Sequence, residues 1–234
     1  MLPLNFSNSE SEGFVLFPKI IVHNSISLDG SLTGFQPNMI LHYKIAGNYG
    51  AKAHLIGSNT VKVGVELFEN KIPLEEKEDF TKPQRNKDLP YWVIPDSTGK
   101  LKGLLHTCRR FEFCRDVIIL VSETTPKEYL KHLEERNYTY HIVGKDHINL
   151  KKLLELLYSE YKVKKVLADT GNILSSLLIN QGLVSELSLL IHPIIVGKNS
   201  YNIFGDINES IALRLKKFER LPNGYVWLAY KVKK

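Results

Sequence analysis

Cysteine, methionine and tryptophan are scarce in this 234-residue chain, with two of each. Cys108 and Cys114 stand six positions apart. That spacing fits no metal-ligand motif and supports no disulfide framework, so two buried or idle thiols are expected. Long apolar runs are missing too. The longest are about five residues, as in Val117–Val121, far short of the roughly 20 that cross a bilayer. The opening stretch, MLPLNFSNSESEGF, has neither the basic start nor the apolar core of a secretory leader. A cytoplasmic protein without a membrane partner is expected. No internal repeat with a period of roughly 20–50 residues is visible.

The familiar signatures of chemistry are absent as well. The sequence has no G-x-G-x-x-G dinucleotide fingerprint, no G-x-x-x-x-G-K-[ST] phosphate loop and no G-x-S-x-G nucleophile elbow. It has no H-x-E with P-C-x-x-C, which excludes a zinc-dependent deaminase. The eight histidines include no H-x-x-x-H pair, so no dedicated metal site is expected.

Hydrophobic residues make up 43% and charged residues 24% of the chain, which is globular composition. The net charge of +6 is local. Residues 211–234 carry seven Lys or Arg against Glu219 alone, and the rest of the chain is balanced. A nucleic-acid binder more often spreads a basic face interleaved with aromatics. Protective lysines on an edge hairpin explain this segment equally well.

Residues 1–16 read as a polar N-terminal arm and residues 17–234 as a single domain. Phe17–Ser27 reads as a buried strand stopped by Asp29-Gly30. Pro37 precedes a helix carrying Met39, Ile40, Tyr43 and Ala46. Strands follow at Ala53–Ile56, Tyr91–Ile94, Val117–Val121, Thr139–Val143 and Val166–Ala168. Helices are expected over Asn59–Phe68, Pro126–Arg136 and Leu150–Tyr161, and from Asn172 to near Gly182. Residues 69–90, with three prolines, read as a surface excursion. Three strands close the chain, at Leu187–Val196, Ile211–Phe218 and Tyr225–Val232, and as long apolar edges in need of cover they are expected to build part of a homodimer interface. The last two are joined through Leu221-Pro222-Asn223-Gly224. The alternation predicts an α/β fold: a mostly parallel twisted sheet with helices on both faces and an antiparallel C-terminal edge.

In such sheets ligands bind at the carboxyl ends of the strands, which directs attention to the strand-to-helix turns. The first is Ser27-Leu28-Asp29-Gly30, a combination that also makes a plain tight turn. The second is Gly57-Ser58-Asn59-Thr60, whose small residues let backbone N–H groups approach an anion or simply cap a helix. The third, Asp169-Thr170-Gly171-Asn172-Ile173-Leu174, is delivered by a buried strand to a helix start, a natural place for a pyrophosphate.

These turns, in this order, resemble the pyrimidine reductases of riboflavin biosynthesis: the stand-alone diaminopyrimidine reductases and the C-terminal half of the bacterial deaminase–reductase. The family's S-L-D-G matches Ser27–Gly30, and its V-G-x-x-T-V matches Ile56–Val61. Its V-V-D-S step is similar to Val93–Ser97, and its E-G-G-x-x-L turn to Asp169–Leu174. G-L-V-D-E-L followed by P-x-x-x-G corresponds to Gly182–Leu187 and Pro193–Gly197. The resemblance spans roughly residues 18–234.

It implies a dihydrofolate-reductase-like fold, NADPH as cofactor, a homodimer and a small-molecule substrate, a ribosylamino-pyrimidine 5′-phosphate reduced to its ribitylamino form. Thr60 and Ser97 would touch the dinucleotide, and Gly57 belongs to the same turn. Thr170, Gly171, Asn172, Ile173 and Leu174 would cradle its phosphates, with Gly171 supplying a positive φ and close approach. Ser25 and Ile26 would line the nicotinamide. Asp169 stands where the family has a substrate-facing glutamate. Asp29 and Asp169 are the candidate carboxyl donors of a proton to the imine nitrogen, with a water as the alternative source. The family's D-D-P after the T-V motif is missing, and an arginine implied to hold the substrate phosphate aligns near Asn48. The alternatives are a reductase of a pterin- or folate-like C=N bond and, from another class, a non-catalytic nucleotide- or RNA-binding protein.

Overall fold

The computed structural model describes residues 17–68, 72–198 and 200–233; the expected arm over 1–16 lies outside them. Nine strands form one sheet: β1 (Lys19–Ser27), β2 (Ala53–Leu55), β3 (Tyr91–Pro95), β4 (Val117–Val121), β5 (Thr139–Ile142), β6 (Lys165–Ala168), β7 (Val184–His192), β8 (Leu213–Arg220) and β9 (Val226–Val232). Six helices connect them: α1 (Met39–Gly47), α2 (Ser58–Phe68), α3 (Leu105–Arg110), α4 (Lys127–Glu135), α5 (Leu150–Ser159) and α6 (Asn172–Asn180). The strand order is β5-β4-β3-β2-β6-β1-β7-β9-β8.

The strands from β5 through β7 pair in parallel. β9 is antiparallel to both β7 and β8, so it alone runs against the rest. The expected α/β sheet with an antiparallel C-terminal edge is therefore found. All five residues of β4 are buried, as a central parallel strand covered on both faces requires. Leu153, Leu154 and Leu157 of α5 and Leu178 of α6 pack with Val22, Leu55 and Val166. Val61 of α2, Leu105 of α3 and Tyr129 and Leu133 of α4 pack with Ile94 and Ile119.

Three expectations need correction. The strand expected at Leu187–Val196 is β7, three residues earlier, and it is not an edge. It pairs with β1 on one side and β9 on the other, and Leu187, Leu189 and Leu190 are buried within the chain's own core. Pro193, which has no N–H to give a ladder, ends it. β8 likewise lies two residues later than expected. Second, α3 has no counterpart in the sequence reading, because Leu-His-Thr-Cys-Arg-Arg shows no helical stripe.

Third, the excursion over residues 69–90 is, where described, tied down rather than loose. Arg109, only 3% exposed, bonds Asp116 and the carbonyls of Asp79, Thr81, Arg136 and Asn137. Arg85 donates to the carbonyls of Arg110, Phe111 and Cys114. Burying these cations is tolerable because each finds several oxygen acceptors. Both cysteines are free and buried, as expected.

Candidate active site

The carboxyl ends of β3, β2, β6 and β1 lie side by side, and each delivers one of the turns singled out above. At strand spacing they span roughly 14 Å, enough for an extended ligand. The turns after β2 and β6 are stitched together. Gly57 N–H donates to Thr170 Oγ1 at 3.2 Å, and Gly171 N–H donates to Thr60 Oγ1 at 3.2 Å. Two helix N-termini, those of α2 and α6, consequently open onto one crevice. Neither has an acidic residue in its first turn, and Gly171, the N-cap of α6, offers no side chain to its free N–H groups. Unneutralised helix N-termini attract anions, so the crevice fits a pyrophosphate.

Gly171 has φ −66° and ψ 178°, a conformation any residue adopts, so the expected positive φ is not there. The glycine that has to be glycine is Gly57: a Cβ there would stand 2.8 Å from Thr170 Oγ1. Ser97 sits in the turn after β3, which Asp96 fixes by accepting from Lys100 N, Leu101 N and the Tyr129 hydroxyl. Ser25 is half-buried on β1. Ile26 turns its side chain away, into a cluster with Leu189 and Ile203, and leaves only its backbone towards the turn.

The two candidate acids are placed very differently. Asp29 is exposed and saturated with donors: Ser27 Oγ, Gly197 N at 2.9 Å and Val196 N at 3.2 Å. The Ser27 hydroxyl first, then the Gly197 N–H, hold its carboxyl down to about 2. In this position it clasps the segment after β7 to the end of β1. Asp169 instead lines a cavity of about 300 Å³ between α1, α2 and α3. Tyr43 of α1, Val61 and Val65 of α2, Trp92 of β3 and Phe111 beyond α3 supply apolar and aromatic walls. No cation is found among the described lining residues. Asn48, aligned with the family arginine, caps the far end of α1. Its neighbour Tyr49 bonds Lys165 at the start of β6, whereas Asp169 follows the end of that strand. The position thus lies at the opposite edge of the sheet.

Around Asp169 the structure gathers residues the sequence reading passed over. His42 Nε2 lies 3.1 Å from Asp169 Oδ2, and His42 Nδ1 lies 3.0 Å from Ser25 Oγ. The His23 ring lies 4.4 Å from that of His42, centroid to centroid. Burial, then the neighbouring His42, pushes His23 down to about 4; burial does the same to His54. Burial opposes ionisation of Asp169, but His42 beside it, with His23 and His54 further off, brings the carboxyl below its ordinary range. These histidines come from β1, α1 and β2, so no spacing motif announces them. The legible signals were the two-residue step from His23 to Ser25 on one strand face and the helical step linking Met39, His42 and Tyr43. Among the described residues, no group of three or more His, Cys, Asp or Glu is arranged to hold a metal ion, and no helix is long and apolar enough to cross a membrane.

The RibD C-terminal domain family matches residues 18–227. A curated relative from Archaeoglobus fulgidus, a 2,5-diamino-6-ribosylamino-4(3H)-pyrimidinone 5′-phosphate reductase, is 27% identical over 218 residues, covering 89% of this chain and 95% of the relative. Among solved structures, a pyrimidine reductase-like protein from Corynebacterium diphtheriae superposes with a TM-score of 0.67 at 21% identity, covering 93% of this chain and 92% of that one. Acinetobacter baumannii RibD superposes at 0.65 with 17% identity; this chain is covered to 93% but spans 58% of that one. With nearly the whole chain matched and these strand-to-helix turns at the carboxyl edge of a matching sheet, this chain belongs to the RibD C-terminal domain family.

Proposed function

We propose that this chain is an NADPH-dependent reductase that converts a ribosylamino-pyrimidine 5′-phosphate to its ribitylamino form. The observation that carries the reading is the joined pair of helix N-termini, α2 and α6, beside a cavity lined by the carboxylate of Asp169. The family match and the name of the archaeal relative support the substrate class. They favour it over a pterin or folate-like substrate and over a non-catalytic RNA-binding role.

A bound nicotinamide cofactor would supply hydride-transfer chemistry to the imine formed when the sugar ring opens. The protein's part is to bind, orient and exclude water. Backbone N–H groups of Gly171, Asn172, Ile173 and Leu174 would hold the dinucleotide phosphates, with Gly57, Thr60 and Thr170 bracing the facing turn. Ser97 would touch the dinucleotide, and Ser25 with Ile26 would line the nicotinamide. Asp169 faces the substrate. Asp29, held ionised, keeps the mouth in shape and is a poor proton donor.

Residues 17–234 act as a single reductase domain, in the cytoplasm and as a homodimer. The surface that supports the dimer is β8, where Leu213, Leu215 and Phe218 are exposed, rather than the interior strand β7. The test is cofactor oxidation by the purified protein, with ribosylamino-pyrimidine 5′-phosphates and dihydropterins offered in parallel. Turnover of the former and not the latter is expected. Oxidation only with the pterins would overturn the substrate assignment.

A further inference from the structure

Hydride addition to an imine is half a reaction. The carbon gains the hydride, the π pair of C=N moves onto nitrogen, and nitrogen needs one proton to become the amine. Asp169 is the only ionisable carboxyl group among the described residues that line the cavity. While substrate covers the cavity, a carboxyl that gives up a proton is resupplied from its protein side.

The geometry points to His42 as that supply: we propose that Ser25, His42 and Asp169 form a proton line in which His42 recharges Asp169 during each turnover. His42 is 3% exposed and sits behind Asp169, shielded from the cavity. Both of its ring nitrogens are engaged, Nε2 with the carboxylate at 3.1 Å and Nδ1 with Ser25 Oγ at 3.0 Å. An ionised carboxylate accepts only, and a hydroxyl oxygen can accept too, so the surroundings satisfy an imidazolium with both N–H groups donating. Ser25 Oγ accepts the Nδ1–H and so holds the ring with Nε2 towards Asp169.

The groups packed around His42 leave it the natural carrier. His23 on β1 and His54 on β2 are both pushed down to about 4 by burial, so neither competes for a proton near neutrality. Tyr43, the next residue on α1, meets the His42 ring edge-on at 5.2 Å, and burial raises its hydroxyl pKa. His192, from β7, is also lowered by burial. Among the described residues, Asp169 is the only carboxylate in contact with this group of imidazoles.

The step balances as follows. Asp169, ionised at rest, takes the Nε2 proton of His42 and gives one to the substrate nitrogen. His42, left neutral with its Nδ1–H on Ser25 Oγ, regains the Nε2 proton from solvent through Asp169 once product has left the cavity. His42 acts through Asp169 and is therefore a positioning residue that sets the protonation of the group facing substrate.

This inference rests on the reductase reading, and the test separates the two. The variant is His42→Gln, which keeps hydrogen-bonding groups but cannot ionise, with Ser25→Ala as a milder break in the same line. For His42→Gln, kcat is expected to fall by about 100-fold, the size of a general-acid contribution, with KM within about threefold. The pH dependence of kcat should differ between the wild type and the variant, whose line no longer contains an ionisable imidazole. Independently of turnover, the side-chain carboxyl carbon resonance of Asp169 should titrate at higher pH in His42→Gln than in the wild type. A kcat or pH profile like the wild type's, or an unmoved Asp169 resonance, would overturn the proton line while leaving the reductase reading intact. Wild-type protein that oxidises no NADPH with the pyrimidine substrate would overturn the reading and the proton line with it, even where the resonance shift shows the two side chains coupled.

Discussion

Gly57 and Gly171 face the same crevice, and the structure gives opposite expectations for the same small change at each. A Cβ on Gly57 would come within 2.8 Å of Thr170 Oγ1. Thr170 is 2% exposed, and its hydroxyl accepts the Gly57 N–H, so it cannot swing away without losing that bond. Overpacking of this kind costs ~1–3 kcal/mol. Loss of the hydrogen bond adds ~1 kcal/mol. At Gly171 the nearest heavy atom to an added Cβ is Thr60 Oγ1 at 3.8 Å, an ordinary contact, and the backbone is already extended. Gly171→Ala should therefore stabilise by ~0.4–1 kcal/mol, through the unfolded state.

For a chain this long, 1 kcal/mol moves the melting temperature by ~2–4 °C. Gly57→Ala should melt ~4–16 °C lower than the wild type and Gly171→Ala at or slightly above it. Cofactor affinity adds a second axis. Gly57→Ala forces the α2 and α6 turns apart and should weaken NADPH about tenfold. Gly171→Val, whose branched side chain projects into the crevice, should weaken it by at least ~1.4 kcal/mol, again tenfold, without lowering the melting temperature. Calorimetric melting and NADPH titration on the three variants decide the matter. If Gly171→Ala melts as low as Gly57→Ala, or Gly57→Ala melts like the wild type, the reasoning from contact distance is wrong. If Gly171→Val binds NADPH normally, the α6 N-terminus is not the phosphate cradle.

Four other outcomes follow from the same structure. His23, fully buried, has its pKa lowered from 6.5 to about 4, so the unfolded chain binds the proton first; stability should be full above pH ~6.5 and decline towards pH 4, by up to ~3 kcal/mol from this residue, in denaturant titrations across that range. Arg109→Met strips the carbonyls of residues 79, 81, 136 and 137 and Asp116 of their donor, and should cost ~3–5 kcal/mol in urea unfolding. Tyr129→Phe removes one of three donors to Asp96 and should cost ~1–2 kcal/mol by the same measurement, with NADPH binding weakened through the Ser97 turn. Light scattering at micromolar concentration should give the mass of a dimer, and Phe218→Glu on β8 that of a monomer; a monomeric wild type would refute the assembly.

What the sequence made legible is what is local. The alternation of apolar strands and helices fixes the parallel sheet, because each element reports its own burial through its own residues. The turns after β2 and β6 could be picked out as anion sites because a short loop and the helix start behind it are contiguous in the chain. The errors came where a partner far along the chain decides. β7 looked like an edge because nothing in Leu187–Val196 shows that β9 will cover it. Residues 72–90 looked loose because the arginines that fasten them, Arg109 and Arg110, lie in a helix whose own pattern is silent.

The same distinction explains which part of the site was hidden. Phosphate recognition by backbone N–H groups needs only small residues and a helix start, so Gly57, Thr60 and Gly171 carried a readable signal even though the reason first attached to Gly171 was wrong. Proton handling needs side chains placed to within a few tenths of an ångström, and the sheet assembles these from distant strands. Asp169 was visible because it opens the α6 turn. His42 was not, because it lies 127 positions away and meets Asp169 only when β6 settles beside β1 and α1 packs over both. Substituting Asp169 should therefore disturb two things that are far apart in the chain and adjacent in space: the substrate's contact in the cavity and the charge balance among three buried imidazoles. Asp169→Asn would keep the shape but remove the negative charge that favours protonation of His23 and His54 against the effect of burial. Its stability should consequently fall more steeply than the wild type's as pH drops below ~6.5, the window in which the unfolded histidines take up protons. Parallel acid-unfolding curves for the two proteins would refute the view that one carboxylate balances that cluster.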